Sequence, residues 1–161
     1  MSAIPELGTD SFVFPKRFRL VKSADFGKLL TIRDGRAIRV SSQFFSVTVV
    51  TRNKKEGPIR IGITVGKKNA HRSVDRALVK RVLRETARKQ APYLIALLCE
   101  TEVGLDVSLR LKISLLQIPE SKRGVNALKK VLSQDAASLQ LKLRKRLIDL
   151  KVFHSASSNV C

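Results

Sequence analysis

RIGITVGKKNAHRSVDRALVKRVLRETAR, from Arg60 to Arg88, changes its hydrophobic period partway along. Between Ile59 and Val65 the apolar residues alternate. Ile59, Ile61, Ile63 and Val65 share one face and Arg60, Gly62 and Thr64 the other, the two-residue repeat of a strand. From Arg72 the repeat becomes helical. At about 100° per residue, Arg72, Arg76, Lys80, Arg81, Arg84 and Arg88 fall within half of the wheel, while Val74, Leu78, Val79 and Val82 take most of the other half. Leu83 breaks this division and Glu85 lies on the apolar side. A strand therefore runs through a basic loop into a basic helix, with nine Lys or Arg against two acids, Asp75 and Glu85. Solubility requires far less charge than this.

Upstream, Gln43–Val50 (QFFSVTVV) alternates again, with Phe45, Val47 and Val49 on one face and Phe44, Ser46 and Thr48 on the other. RNKKEGP makes a turn, so this strand and Ile59–Val65 are expected to pair as a hairpin. Before them, SADFGKLLTIR predicts a short first helix closed by Asp34-Gly35. Downstream, Leu105–Ile113 (LDVSLRLKI) reads as a third long strand. Val125–Leu150 places Leu128, Val131, Leu132, Leu139, Leu143 and Leu147 at helical spacing. Helices that cover one face of a mixed set of strands give a two-layer α/β or α+β sandwich. The other sheet face, with Phe44, Ser46, Thr48, Arg60 and Thr64, would then be partly open. Hydroxyls, an aromatic and a bordering cationic helix suit a single strand of nucleic acid. The alternative placement for Phe44 is the core, which composition alone favours.

Bulk composition narrows the class. The 161 residues fit one domain, and a net charge of +19 points first to nucleic acid and second to an anionic membrane surface. Residues 17–150 are expected to form a single RNA-binding domain between a flexible N-terminal extension, 1–16, and a flexible tail, 151–161. YLIALLC (Tyr93–Cys99) is too short to span a bilayer and Met1–Asp10 has no apolar signal core, so a cytoplasmic protein is expected. Cys99, Cys161, His71 and His154 give neither a disulfide framework nor a zinc spacing. The acids are scattered, with Glu100, Glu102 and Asp106 the densest group. His71 lies among Lys67, Lys68 and Arg72 without an acidic partner, and GITVGKKN lacks P-loop spacing. No catalytic residue and no metal site is expected on this chain.

The run from Arg60 to Arg72 (RIGITVGKKNAHR), followed by Arg76, Lys80-Arg81 and Arg84-Glu85, resembles the signature of the bacterial ribonuclease P protein component. Upstream, RLVKSADFGKLL (Arg19–Leu30), Gly35-Arg36 and Phe44-Phe45 fall where that family has its first helix, its Gly-Arg turn and its paired-aromatic strand. The likeness covers about Arg17 to Lys112. It implies an α+β two-layer sandwich with a left-handed βαβ crossover, as in the ribosomal protein S5 domain 2-like fold. It also implies a ribonuclease P in which the catalytic RNA, with Mg²⁺ bound mainly by that RNA, removes the 5′ leader from precursor tRNA. The protein would bind the leader and the catalytic RNA. Carried over by position, Phe26 and Phe44 would be cleft aromatics, and Lys67, Lys68, Asn69, Arg72, Arg76, Lys80, Arg81 and Arg84 the RNA-facing set, joined by Arg60 on the open face. One departure stands out: the family's Arg-Asn-Arg triplet here reads Arg76-Ala77-Leu78. A divergent, non-catalytic RNA-binding or RNA-chaperone protein on a similar fold is the alternative.

Overall fold

Alternation of apolar residues produces four strands, β1 (Ala37–Ser41), β2 (Phe45–Asn53), β3 (Ile59–Thr64) and β4 (Val103–Leu111), in a computed structural model that describes residues 37–53, 59–98 and 103–149. They form one sheet in the order β1-β2-β4-β3. β2 pairs antiparallel with both β1 and β4, while β3 and β4 run parallel. A parallel pair needs a long crossover, and helix α1 (Ser73–Leu98) supplies it. Two short 3-10 turns, η1 (Leu115–Gln117) and η2 (Pro119–Arg123), then lead into helix α2 (Val125–Asp149). Between η2 and α2 the chain turns at Gly124, whose φ of 108° a side chain would strain.

Register sorts the sheet into two faces. Phe45 opposes Leu111, Val47 opposes Leu109 and Val49 opposes Val107, with Ile61 beside Val107 on the far side. These residues share one core with Val79, Val82, Leu83, Ala87 and Leu94 of α1 and Leu128, Leu132, Leu139 and Leu143 of α2. Both helices thus cover one sheet face, in the two-layer α+β sandwich. Because α1 returns between parallel strands, it runs antiparallel to them. α2 leaves β4 through a short link and therefore runs parallel to α1. Both helices start at the same end of the molecule, and the Leu115 N–H donates to the Asn69 carbonyl there at 2.8 Å.

Several expectations are corrected. β2 and β3 are not a hairpin, because β4 lies between them. Leu105, Asp106, Val107, Ser108 and Leu109 of β4 are all buried, in keeping with a strand that has a neighbour on each edge and lies inside the sheet. β1, with only five residues, was not anticipated. On α1 the apolar face is rotated from the wheel's placement: Leu83 is core, whereas Val74 is 68% exposed and Glu85 faces water. The expected first helix, Phe26 and both chain ends lie outside the described residues.

Candidate nucleic-acid interface

The sheet face away from the helices is lined by polar rows that the register fixes. One row runs Ser41–Ser46–Arg110–Thr64, and the next runs Arg39–Thr48–Ser108–Gly62. Ser41, Arg110, Thr64 and Arg39 are exposed and Ser46 and Thr48 half-buried, so hydroxyls and guanidinium groups share this face. In the row beyond, Arg60 meets Asp106. Its Nε donates to Oδ1 at 2.9 Å and its Nη2 to Oδ2 at 2.7 Å, a two-point pair that neutralises the carboxylate of this face.

At the carboxyl end of β3 the basic loop is held from several sides. The N–H groups of Asn69 and Ala70 donate to the Gly66 carbonyl, each at 3.1 Å. The Asn69 side-chain amide donates to the Leu111 carbonyl at 3.0 Å. Arg76, one turn into α1, reaches back to donate to the carbonyls of Ala70 (3.0 Å) and His71 (2.7 Å). Bound carbonyls fix the loop's shape, and Lys67 and Lys68 are left exposed on it. Lys112, Lys122 and Arg123 are exposed nearby in the chain segments that converge on this end. Two helix N-termini add their partial positive charge to the same pole. Arg72 bonds to Asp75, which raises the affinity of the guanidinium for its proton above the ordinary value.

The sequence-predicted residues separate into groups. Lys67, Lys68, Lys80, Arg81 and Arg84 are exposed and, among the described residues, their side chains make no hydrogen bond or ion pair. Arg60, Asn69 and Arg76 are committed to internal bonds, so they shape the surface rather than offer free donors. Phe44 corrects the expectation of a stacking aromatic: it is 4% exposed and its backbone N–H donates to Asp135 of α2. Phe26 lies outside the described residues. Sequence reasoning missed Arg110 and Arg39. Arg110 was legible in LDVSLRLKI, since it alternates with Leu109 and Leu111; Arg39 was hidden with β1. Outside this set, Glu85 is held below the usual carboxylate range by its bonds to Arg88. Among the described residues no three of His, Cys, Asp and Glu gather as metal ligands, and no helix is long and apolar enough to cross a membrane.

The family model described as Ribonuclease P matches residues 14–134. The Ribonuclease P protein component of Ralstonia pickettii is 34% identical over 99 residues, 62% of this chain and 61% of that protein. That of Dictyoglomus turgidum is 40% identical over 83 residues, 52% of this chain and 64% of that protein. The matched region thus spans about three fifths of the length of these relatives. The solved Staphylococcus aureus RNase P protein superposes with a TM-score of 0.50 at 22% identity, over 80% of this chain and 95% of that one, a likeness of fold.

Proposed function

The chain belongs to the ribonuclease P protein family, and on that premise we propose that it is the protein subunit of a ribonuclease P, assisting an RNA partner that removes the 5′ leader of precursor tRNA. The single-stranded leader lies across the open sheet face, where Ser41, Ser46, Arg110 and Thr64 offer hydroxyls and a cation in one row. Phosphates meet cations there without any base being read. The catalytic RNA docks on the cationic pole and along Lys80, Arg81 and Arg84. The observation that supports this division best is the separation of the two surfaces: a polar sheet face with few carboxylates, and a pole where two helices begin among exposed lysines. Catalysis, with its Mg²⁺, belongs to the RNA in this reading. The described carboxylates do not gather into an oxygen cage for a hard cation.

Reconstitution tests the reading. Protein added to ribonuclease P RNA and a leader-bearing precursor tRNA at low Mg²⁺ should accelerate or tighten leader cleavage. The inward engagement of Arg76 and Asn69, with Ala77-Leu78 in the triplet, favours a second reading, an RNA-binding protein without that role. RNA binding with no effect on cleavage would select it.

A further inference from the structure

Where both helices begin there is a notch of about 300 Å³. Buried Leu115 and Leu128 floor it, and Leu78, Leu116 and Val125 wall it. Leu116 is 71% exposed and Val125 60%, apolar surface left in water at the cationic pole. Arg72 and Lys122 stand at the rim. Gly124, whose carbonyl accepts the Leu128 N–H where α2 starts, has no side chain to cap the helix, and among the described residues no side chain accepts from its first turn, which leaves those N–H groups to an anion.

We propose that this notch takes one unstacked base of the RNA partner, with the adjoining phosphates on Lys122 and at the start of α2. The proposal rests on the ribonucleoprotein reading above. An unpaired nucleotide carries both chemistries that the notch offers, a flat apolar face and a flanking anion. Arg72 adds a fixed plane for stacking, because Asp75 holds its guanidinium at two points, Nε–Oδ2 at 2.9 Å and Nη2–Oδ1 at 3.1 Å. Leu78, which departs from the family triplet, makes the wall apolar where an arginine would put a cation. A second copy of the chain fits less well. The cationic rims repel, and the exposed apolar side chains fall far short of the roughly 20–30 residues a side of a stable protein interface.

Two labelled hairpin RNAs provide the test, one with a single bulged 2-aminopurine and one fully paired, titrated with the full chain over a salt series. Wild type should bind the bulged hairpin about fivefold more tightly, which corresponds to about 1 kcal/mol, with a change in 2-aminopurine emission. Leu116→Ser with Val125→Ser should erase that preference at unchanged melting temperature and unchanged salt dependence, because neither side chain meets a phosphate. Lys122→Ala should weaken both hairpins and flatten the salt slope by about 0.7–0.9. Equal affinity in the wild type, or a preference that survives the double variant, overturns the base site and leaves the ribonucleoprotein reading standing. Dimerisation that the double variant abolishes overturns it in favour of a second copy. Failure of both hairpins to bind overturns the two readings together.

Discussion

The carboxylate of Asp135 on α2 accepts the backbone N–H of Phe44 at 2.9 Å, which ties the β1–β2 turn to the helical layer. The same carboxylate accepts the Ser42 hydroxyl at 2.6 Å and the Gln43 N–H at 3.2 Å. One side chain thus accepts from three donors of this turn, and its negative charge strengthens each bond. Asp135→Ala should destabilise the fold by about 2 kcal/mol, since the turn loses charge-assisted acceptors. Thermal melting checks this, at about 2–4 °C per kcal/mol for a chain of this size. Asp135→Asn, which keeps one acceptor oxygen, should fall between the alanine variant and wild type.

Arg60 and Asp106 should behave as structural partners. Their side chains are only 17% and 12% exposed. Removing one member leaves the other charge part-buried, so Arg60→Ala should cost about 2–4 kcal/mol, near the range for broken buried pairs. A double-mutant cycle with Asp106→Asn should show strong coupling. Additive losses would show that the pair contributes nothing beyond its members.

Phe44→Ala should act on folding before it acts on RNA. A buried phenylalanine cut to alanine costs about 3–5 kcal/mol. At a temperature where the variant is still folded, affinities for leader-bearing and mature tRNA should fall together or not at all. A selective loss for the leader-bearing form would restore Phe44 as a stacking residue.

These corrections have physical reasons that pattern alone does not carry. Ile59–Val65 and LDVSLRLKI were legible as strands because a sheet with one covered face demands alternation, and α2 was legible from its leucines at helical spacing. Neighbour choice was not: alternation says which face a residue takes, never which strand lies beside it. Only the burial of Asp106 and Ser108 on the polar face of β4 marks that strand as central, and in sequence both read as solvent-facing. Phe44 misled for a different reason. Strand alternation was extended two residues too far, through Gln43 and Phe44, into a turn that a residue 91 positions from Phe44 holds in place. At Arg76 the wheel gave the right face, but the carbonyls of Ala70 and His71 that absorb its donors belong to the loop before the helix. The exposed set Lys67, Lys68, Lys80, Arg81 and Arg84 was legible because, among the described residues, no side chain or carbonyl competes for those charges.

Glu85 should contribute a small pH-dependent increment. Its bonds to Arg88 lower its folded-state pKa, so the contribution is present above the unfolded value, about 4.3. It is lost as pH falls through the lower folded value. The side chain is half exposed, which limits the effect to less than about 1 kcal/mol. Wild type should therefore be slightly more stable than Glu85→Gln at neutral pH, with the difference shrinking to nothing in acid. A difference that grows on acidification would contradict the assignment.

Arg76 and Arg84, both basic residues of α1, should separate in a salt series. Arg84 is exposed and its side chain makes no bond among the described residues, so it is available to a phosphate. Arg84→Ala should flatten the slope of log affinity against log salt by about 0.7 on a single strand or about 0.9 on a duplex. Arg76 already donates to the Ala70 and His71 carbonyls. Its loss should loosen the loop that presents Lys67 and Lys68, weakening binding through disorder with a much smaller change in slope. Arg76→Lys tests the same point, since a single ammonium still reaches a carbonyl and should recover part of the affinity. Equal flattening by Arg76→Ala and Arg84→Ala would mean that Arg76 leaves its loop to meet RNA, and that the bonds of the free protein are exchanged on binding.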